Sequence, residues 1–237
     1  MKRTLTLMAG MIMLGTVALA GNALSVSYAT NGGRASAVAT AEGNAGSTAI
    51  AGATRGGVAE ANSRARGSGD ARADSRAVAI ADRGRALSNS NADARGRFGS
   101  SAFADSESIA AAVGGFARSN SDAAADGFYR GRATSRSIST ALSEYGIATS
   151  DSRAVSTGLW AGRATGVSDS YADARFGRAD SRVRVISGAE SHARSSADGV
   201  GISVSGPARH ADADVRVISR SDRYGVATSS GKVIRVR

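Results

Sequence analysis

Residues 71–81 read ARADSRAVAIA. In an extended chain successive side chains point to opposite faces. Ala71, Ala73, Ser75, Ala77, Ala79 and Ala81 therefore share one side, and Arg72, Asp74, Arg76, Val78 and Ile80 share the other. Two arginines cannot enter a thin dry core without a large desolvation cost. The small-residue side is thus expected to face inward and the Arg72, Asp74, Arg76 side to face solvent. Val78 and Ile80 are expected to be covered by a neighbouring coil or subunit.

The same alternation recurs along the chain, in ASAVATA at 35–41, SRVRVIS at 181–187 and ADVRVIS at 213–219, with a looser echo in KVIRVR at 232–237. Val183 and Val185, like Val215 and Val217, fall on the small-residue side, and Arg184 and Arg216 fall opposite. Alanine favours helix, so SESIAAAV at 106–113 and SDAAA at 121–125 admit a local helical reading. Serine and glycine interrupt any longer stripe, however, and no sustained i, i+3, i+4, i+7 set of large apolar residues appears. Short strands are the better reading.

Imperfect repetition accompanies the alternation. S-N-S occurs at 88–90 and 119–121, and G-R-A-T at 131–134 and 162–165, both at an interval of 31. Asp74-Ser75 and Asp105-Ser106 are also 31 apart, and further Asp-Ser pairs begin at Asp151, Asp169 and Asp180. A unit of about 15, used singly or doubly, fits a chain whose segments pack mainly on their neighbours. These features predict an all-β fold, an irregular β-solenoid or stacked β-roll built from short Ala/Ser/Gly-rich strands. Gly, Asn and Asp are expected at corners that need positive φ. Phe98, Phe103, Phe116, Phe128, Phe176 and Trp160 are expected to fill wider layers or to lie at contacts.

The composition sets a competing expectation, a largely disordered low-complexity chain. Beyond residue 23, Leu, Ile, Val and Phe together supply only about one position in six, a content below that of ordinary globular cores, and positive charge adds to the tendency. Against disorder, Pro207 is the only proline, glutamine is absent and charges alternate in sign. With no cysteine, order must come from packing and hydrogen bonds.

The N-terminus reads MKRTLTLMAGMIMLGTVALAGNALS. Lys2 and Arg3 precede an uncharged apolar run over 4–19, and Ala18-x-Ala20 and Gly21-x-Ala23 offer small-residue cleavage sites, the order of a secretory signal peptide. The expected organisation is a signal peptide over 1–23 and a repetitive β-rich body over 24–237, secreted or at the cell surface. The body carries 28 basic and 20 acidic residues, net +8.

A signal peptide followed by short Gly/Ser/Ala/Asn strand repeats over 33–237 resembles, in style, bacterial secreted fibre subunits and the β-roll regions of surface adhesins. The resemblance implies an exported structural protein that self-associates. It includes no diagnostic motif: the curli-type pattern needs regularly spaced Gln, and the large-aliphatic strand core of trimeric adhesin heads is mostly absent. No residue role carries over.

No catalytic, cofactor or metal constellation is assembled in the sequence. His192 and His210 sit among polar residues without cysteine partners, and no G-x-S-x-G elbow is present. Gly32-Gly33, Gly56-Gly57 and Gly114-Gly115 read as turns, not as phosphate-binding loops. The positive balance points to anionic partners: acidic polysaccharide, nucleic acid or an envelope surface. The candidate anion contacts are Arg64, Arg66, Arg72, Arg76, Arg83 and Arg85, diluted by Asp70, Asp74 and Asp82. The expected function is a non-enzymatic structural or surface-fibre protein, with a cationic extracellular binding protein as the alternative.

Overall fold

A chain that alternates small inward with polar outward residues can bury one face only by meeting a second sheet of the same kind. The computed structural model describes residues 12–19, 22–43, 45–68, 71–96, 101–127, 132–159, 163–189, 194–205, 210–221 and 226–236, and that is the arrangement they adopt. The strands are β1 (Ile12–Leu19), β2 (Ala23–Ala29), β3 (Arg34–Glu42), β4 (Ala45–Ala53), β5 (Val58–Ser68), β6 (Ala71–Asp82), β7 (Arg85–Gly96) and β8 (Ser101–Val113). They continue as β9 (Phe116–Gly127), β10 (Arg132–Ser143), β11 (Ile147–Gly158), β12 (Arg163–Ala174), β13 (Arg178–Ala189), β14 (Arg194–Ser205), β15 (His210–Ser221) and β16 (Val226–Val236). The odd strands form one parallel sheet in chain order and the even strands form the other. The chain changes sheet after every strand, so two strands make one turn of a β-solenoid. Among the described residues no helix is long and apolar enough to cross a membrane.

The repeat seen in the sequence is the register of the sheets. Arg34 pairs with Val58, a step of 24, and Val58 with Arg85, a step of 27. From Arg85 to Phe116, Ile147 and Arg178 the step is 31, and from Arg178 to His210 it is 32. The coil therefore widens over its first turns and then holds its width, while odd strands lengthen from 9 residues in β3 to 12 in β7. The two S-N-S copies, and the R-A-T of the two G-R-A-T copies, are direct pairing partners. β1, inside the segment expected to be a signal peptide, pairs with β3 from Ile12–Ala35 to Leu19–Glu42.

Residues 71–81 lie in β6 with Ala73, Ser75, Ala77 and Ala79 buried and Arg72 and Arg76 exposed. Val78 is half-buried between Ile50 and Ile109, its register partners. Ile80 is 55% exposed in the single chain, so no neighbouring coil covers it: among the described residues each turn contributes one layer to the even sheet, with nothing packed outside it. The aromatics are not interior. Phe103 lies on the outer face beneath the Arg72 guanidinium, 5.5 Å from the ring centre, and Phe116 likewise meets Arg85 at 6.0 Å. Phe176 stacks on Tyr145 at a turn, with ring centres 4.9 Å apart. A core lined with Ala and Ser has no space for a ring. Phe98, Phe128 and Trp160 lie outside the described residues. Both segments with a local helical reading, 106–113 and 121–125, are strand.

Burying so many hydroxyls is tolerable only if each finds an acceptor. The serines solve this by bonding across the gap between sheets, half a turn at a time. In one row Ser88 donates to the Ala77 carbonyl at 2.7 Å, Ser108 to that of Ser88 at 2.8 Å, Ser119 to that of Ser108 at 2.6 Å and Ser139 to that of Ser119 at 2.7 Å. The row continues through Ser150, Ser170 and Ser181. A second row climbs beside it through Ser90, Ser121, Ser137 and Ser152. Each carbonyl has two lone pairs, so it can serve the sheet and a serine together.

Where the rows end, valine takes over, and volume is conserved by glycine opposite. A Cβ built on Gly166 would lie 2.8 Å from Val185 Cγ1, one on Gly199 2.9 Å from Val183 Cγ1, and one on Gly201 2.7 Å from Val215 Cγ2. A second glycine set stacks at the turns before β5, β7, β9, β11 and β13. Gly57, Gly84, Gly115 and Gly146 accept from the backbone N–H of Arg85, Phe116, Ile147 and Arg178 at 3.0–3.1 Å, and a side chain at Gly84, Gly115, Gly146 or Gly177 would strike the carbonyl of the glycine below. Among the described residues positive φ occurs at Asn31, Gly32, Gly43, Gly56 and Gly114, and also at Arg55 and Arg83, which the turn chemistry did not anticipate. Arg55 is held there by donating Nη1 to Asn31 Oδ1 of the preceding turn at 2.8 Å.

This packing sets the expected cost of two kinds of substitution. Gly166→Ala should destabilise by about 1–3 kcal/mol through overpacking, and adding Val185→Ala should recover much of the loss in a denaturation double-mutant cycle. Ser119→Ala should cost about 1 kcal/mol because it removes the hydroxyl that donates to the Ser108 carbonyl. Ser135→Ala should be neutral or stabilising, since the buried Ser135 hydroxyl has no partner among the described residues. Equal losses at Ser119 and Ser135 in chemical denaturation would contradict the energetic role of the serine rows.

Candidate functional site

In-register parallel pairing stacks equivalent residues of successive turns into columns, so the outer faces are built of ladders about 4.8 Å apart per strand. On the even sheet one column runs Val26, Ile50, Val78, Ile109, Thr140, Tyr171, Ile202 and Ile234. This is a largely apolar outer stripe. The outer face of the odd sheet is polar and forms an open trough of about 840 Å³ that extends from Val38 on β3 to Arg216 on β15.

Two columns make most of the trough. The first holds Val38, Asn62, Asn89, Asn120, Asp151, Arg182 and Asp214. Asn89 Nδ2 donates to Asn62 Oδ1 at 2.8 Å and Asn120 Nδ2 to Asn89 Oδ1 at 2.9 Å. The amide ladder uses one donor and one acceptor at each inner position and leaves others free for a ligand. The second column holds Thr40, Arg64, Asn91, Asp122, Arg153, Arg184 and Arg216. The trough thus grades from amide-rich near the N-terminal turns to arginine-rich near the C-terminal ones.

The six candidate arginines do not gather. Arg64 lines the trough, and Arg66 lies two residues farther along the same face. Arg72 and Arg76 lie on the opposite sheet, paired with Asp74 at 2.7 Å and with Glu107 at 3.3 Å. Arg83 sits in the turn after β6, where its N–H donates to the Val113 carbonyl at 2.6 Å. Arg85 opens β7 over Phe116. Two arginine columns do gather: Arg132, Arg163 and Arg194 on the even sheet, and Arg153, Arg184 and Arg216 in the trough, at sequence intervals of 31 and 32, with Arg182 alongside. Distance along the chain hides both, whereas the interval of 31 applied to Arg finds the even-sheet column and the Arg153–Arg184 step and misses Arg216 by one residue. His210 is exposed at the start of β15, and His192 lies outside the described residues.

Burial raises three carboxyls above their ordinary value. Asp122 is shifted chiefly by desolvation, opposed by Arg153 and reinforced by Asp151 and Asp93. On the even sheet Asp105 and Asp169 are also raised chiefly by burial, with Arg136 opposing both. An acid whose folded pKa exceeds its unfolded one favours the folded state when protonated. Its penalty appears as pH rises through the carboxylate range and is complete above the folded value. Asp122→Asn, which extends the amide chemistry of Asn91 beside it, should therefore raise the melting temperature at pH 7. The gain should vanish on titration below about pH 4; a gain that persists in acid would mean that charge is not its source.

No protein-family model matches this chain, no curated protein matches it in sequence, and no solved structure matches it.

Proposed function

We propose that the protein is an exported, non-enzymatic structural component that self-associates at or beyond the cell surface. The observation that carries this reading is the bare C-terminal end of the solenoid. β15 pairs only with β13, and β16 only with β14, among the described residues. In β16 even Ala227, Ser229, Gly231 and Val233 are exposed, although they continue the inward-facing columns. An unpaired edge presents a row of backbone donors and acceptors ready for another strand, and a parallel sheet is ordinarily covered. The outer faces support the same reading, since their side chains repeat in columns and suit an extended or repeating partner. Export is inferred from residues 1–23. Cleavage after Ala20 or Ala23 would remove β1 and bare the edge of β3 that pairs with it.

Recovery of the chain from culture medium tests both parts. Its intact mass should place the new N-terminus at Gly21 or Leu24. The circular dichroism spectrum should be β-rich, and sedimentation and electron microscopy should show elongated particles that lengthen with concentration. Retention of Ile12–Leu19, or a compact monomer at every concentration, would overturn the corresponding half of the reading.

A further inference from the structure

The C-terminal half of the trough stacks like charges, as the Arg132, Arg163 and Arg194 column also does on the even sheet. Arg153, Arg184 and Arg216 are direct register neighbours on β11, β13 and β15. Like charges directly opposite one another in a sheet are destabilising. Several other arginines meet acids: Arg34 meets Glu60 at 2.7 Å, Arg178 meets Asp180 at 2.8 Å and Arg235 meets Asp212 at 3.0 Å. Among the described residues no ion pair engages Arg153, Arg182, Arg184 or Arg216. Six arginines line the trough against three acids, Asp122, Asp151 and Asp214, an excess of +3.

We propose that this trough binds an extended anionic polysaccharide, its carboxylates or sulfates lying along the Arg153–Arg184–Arg216 column and its hydroxyls along the Asn62–Asn89–Asn120 ladder. Spacing, chemistry and shape support this assignment. Register fixes the guanidinium bases about 4.8 Å apart, a repeat close to the length of one sugar ring in an extended chain. Arginine forks match planar oxyanions with paired hydrogen bonds, and the Asn amides offer the donor and acceptor pairs that hydroxyls need. The trough is open and long enough for a polymer: its seven strands span about 29 Å at the parallel-sheet spacing. Its lining includes no aromatic residue, whereas proteins that hold single-stranded nucleic acid stack the bases on aromatic rings. The inference goes beyond the structural reading and stands without self-association.

The test uses the full chain with polygalacturonate and, at matched charge concentration and ionic strength, poly(dT). Arg184→Gln with Arg216→Gln should weaken polygalacturonate binding about tenfold and flatten its salt dependence by roughly one unit of slope for each lost contact. Arg72→Gln with Arg76→Gln removes the same charge from the opposite face and should change affinity less than about twofold. Melting should be unchanged or higher in the Arg184/Arg216 variant, because repulsion is relieved. Should that variant fail to fold, Arg182→Gln alone should still weaken binding. Equal losses from both faces, or no binding, would overturn the site. Tighter binding of poly(dT), lost on the same substitutions, would overturn the ligand class.

Discussion

A hydroxyl buried between two sheets must find an acceptor, and in this solenoid it finds one half a turn away. Ser108 donates to Ser88 in the facing sheet, Ser119 to Ser108 and Ser139 to Ser119. Those bonds fix the distance between sheets and their relative shift along the strands. Larger side chains would push the sheets beyond reach. Alanine fills the positions around the serine rows because it is the residue that holds the spacing without needing a partner. The low content of large aliphatics is thus a condition of the fold: close approach and cross-sheet hydrogen bonding take the place of a bulky core.

The same constraint explains the C-terminal change of composition. Once Val183 and Val185 take the places that Ser152 and Ala154 hold one turn earlier, the facing strand must give up volume, and Gly166, Gly199 and Gly201 supply it. Bulk on one sheet and absence on the other keep the gap uniform. The glycine stack at the turns acts similarly along the solenoid axis, where each carbonyl receives a backbone N–H from the next coil at a distance that leaves no space for a Cβ. Rise per turn and gap between sheets are each set by residues defined by their smallness.

The outer faces are released from that restriction, and function can therefore differ from column to column. An outward position repeats every turn, so one residue type placed at an interval of 31 becomes a ladder. Asparagine in such a ladder satisfies itself, as Asn62, Asn89 and Asn120 do. Arginine cannot, and Arg153, Arg184 and Arg216 keep their charge available. Apolar residues in one column of the even sheet give the opposite face an apolar stripe. Two surfaces of different chemistry thus share one backbone and one core.

Alternation in ARADSRAVAIA and the interval of 31 were legible in the sequence because both are local or periodic: a strand fixes which side each residue takes, and in-register stacking requires spacing to repeat. The inward role of Ala73 and Ala77, the outward role of Arg72 and Arg76 and the solenoid itself follow from those two facts. Cover of Ile80 by a neighbouring coil and a single basic patch over residues 64–85 did not follow, and of the two places expected for the aromatics Phe103, Phe116 and Phe176 take contacts rather than wider interior layers. Each depends on what lies across a sheet or beyond it, and that is settled by the number of layers and by register between turns. Arg64 and Arg72 are close in sequence and occupy opposite faces, whereas Arg153 and Arg216 are two full turns apart and share one column. The amino-acid order determined side; only the winding of the chain decided neighbourhood, because a parallel solenoid stacks outward residues one turn apart and sends outward residues half a turn apart to opposite faces.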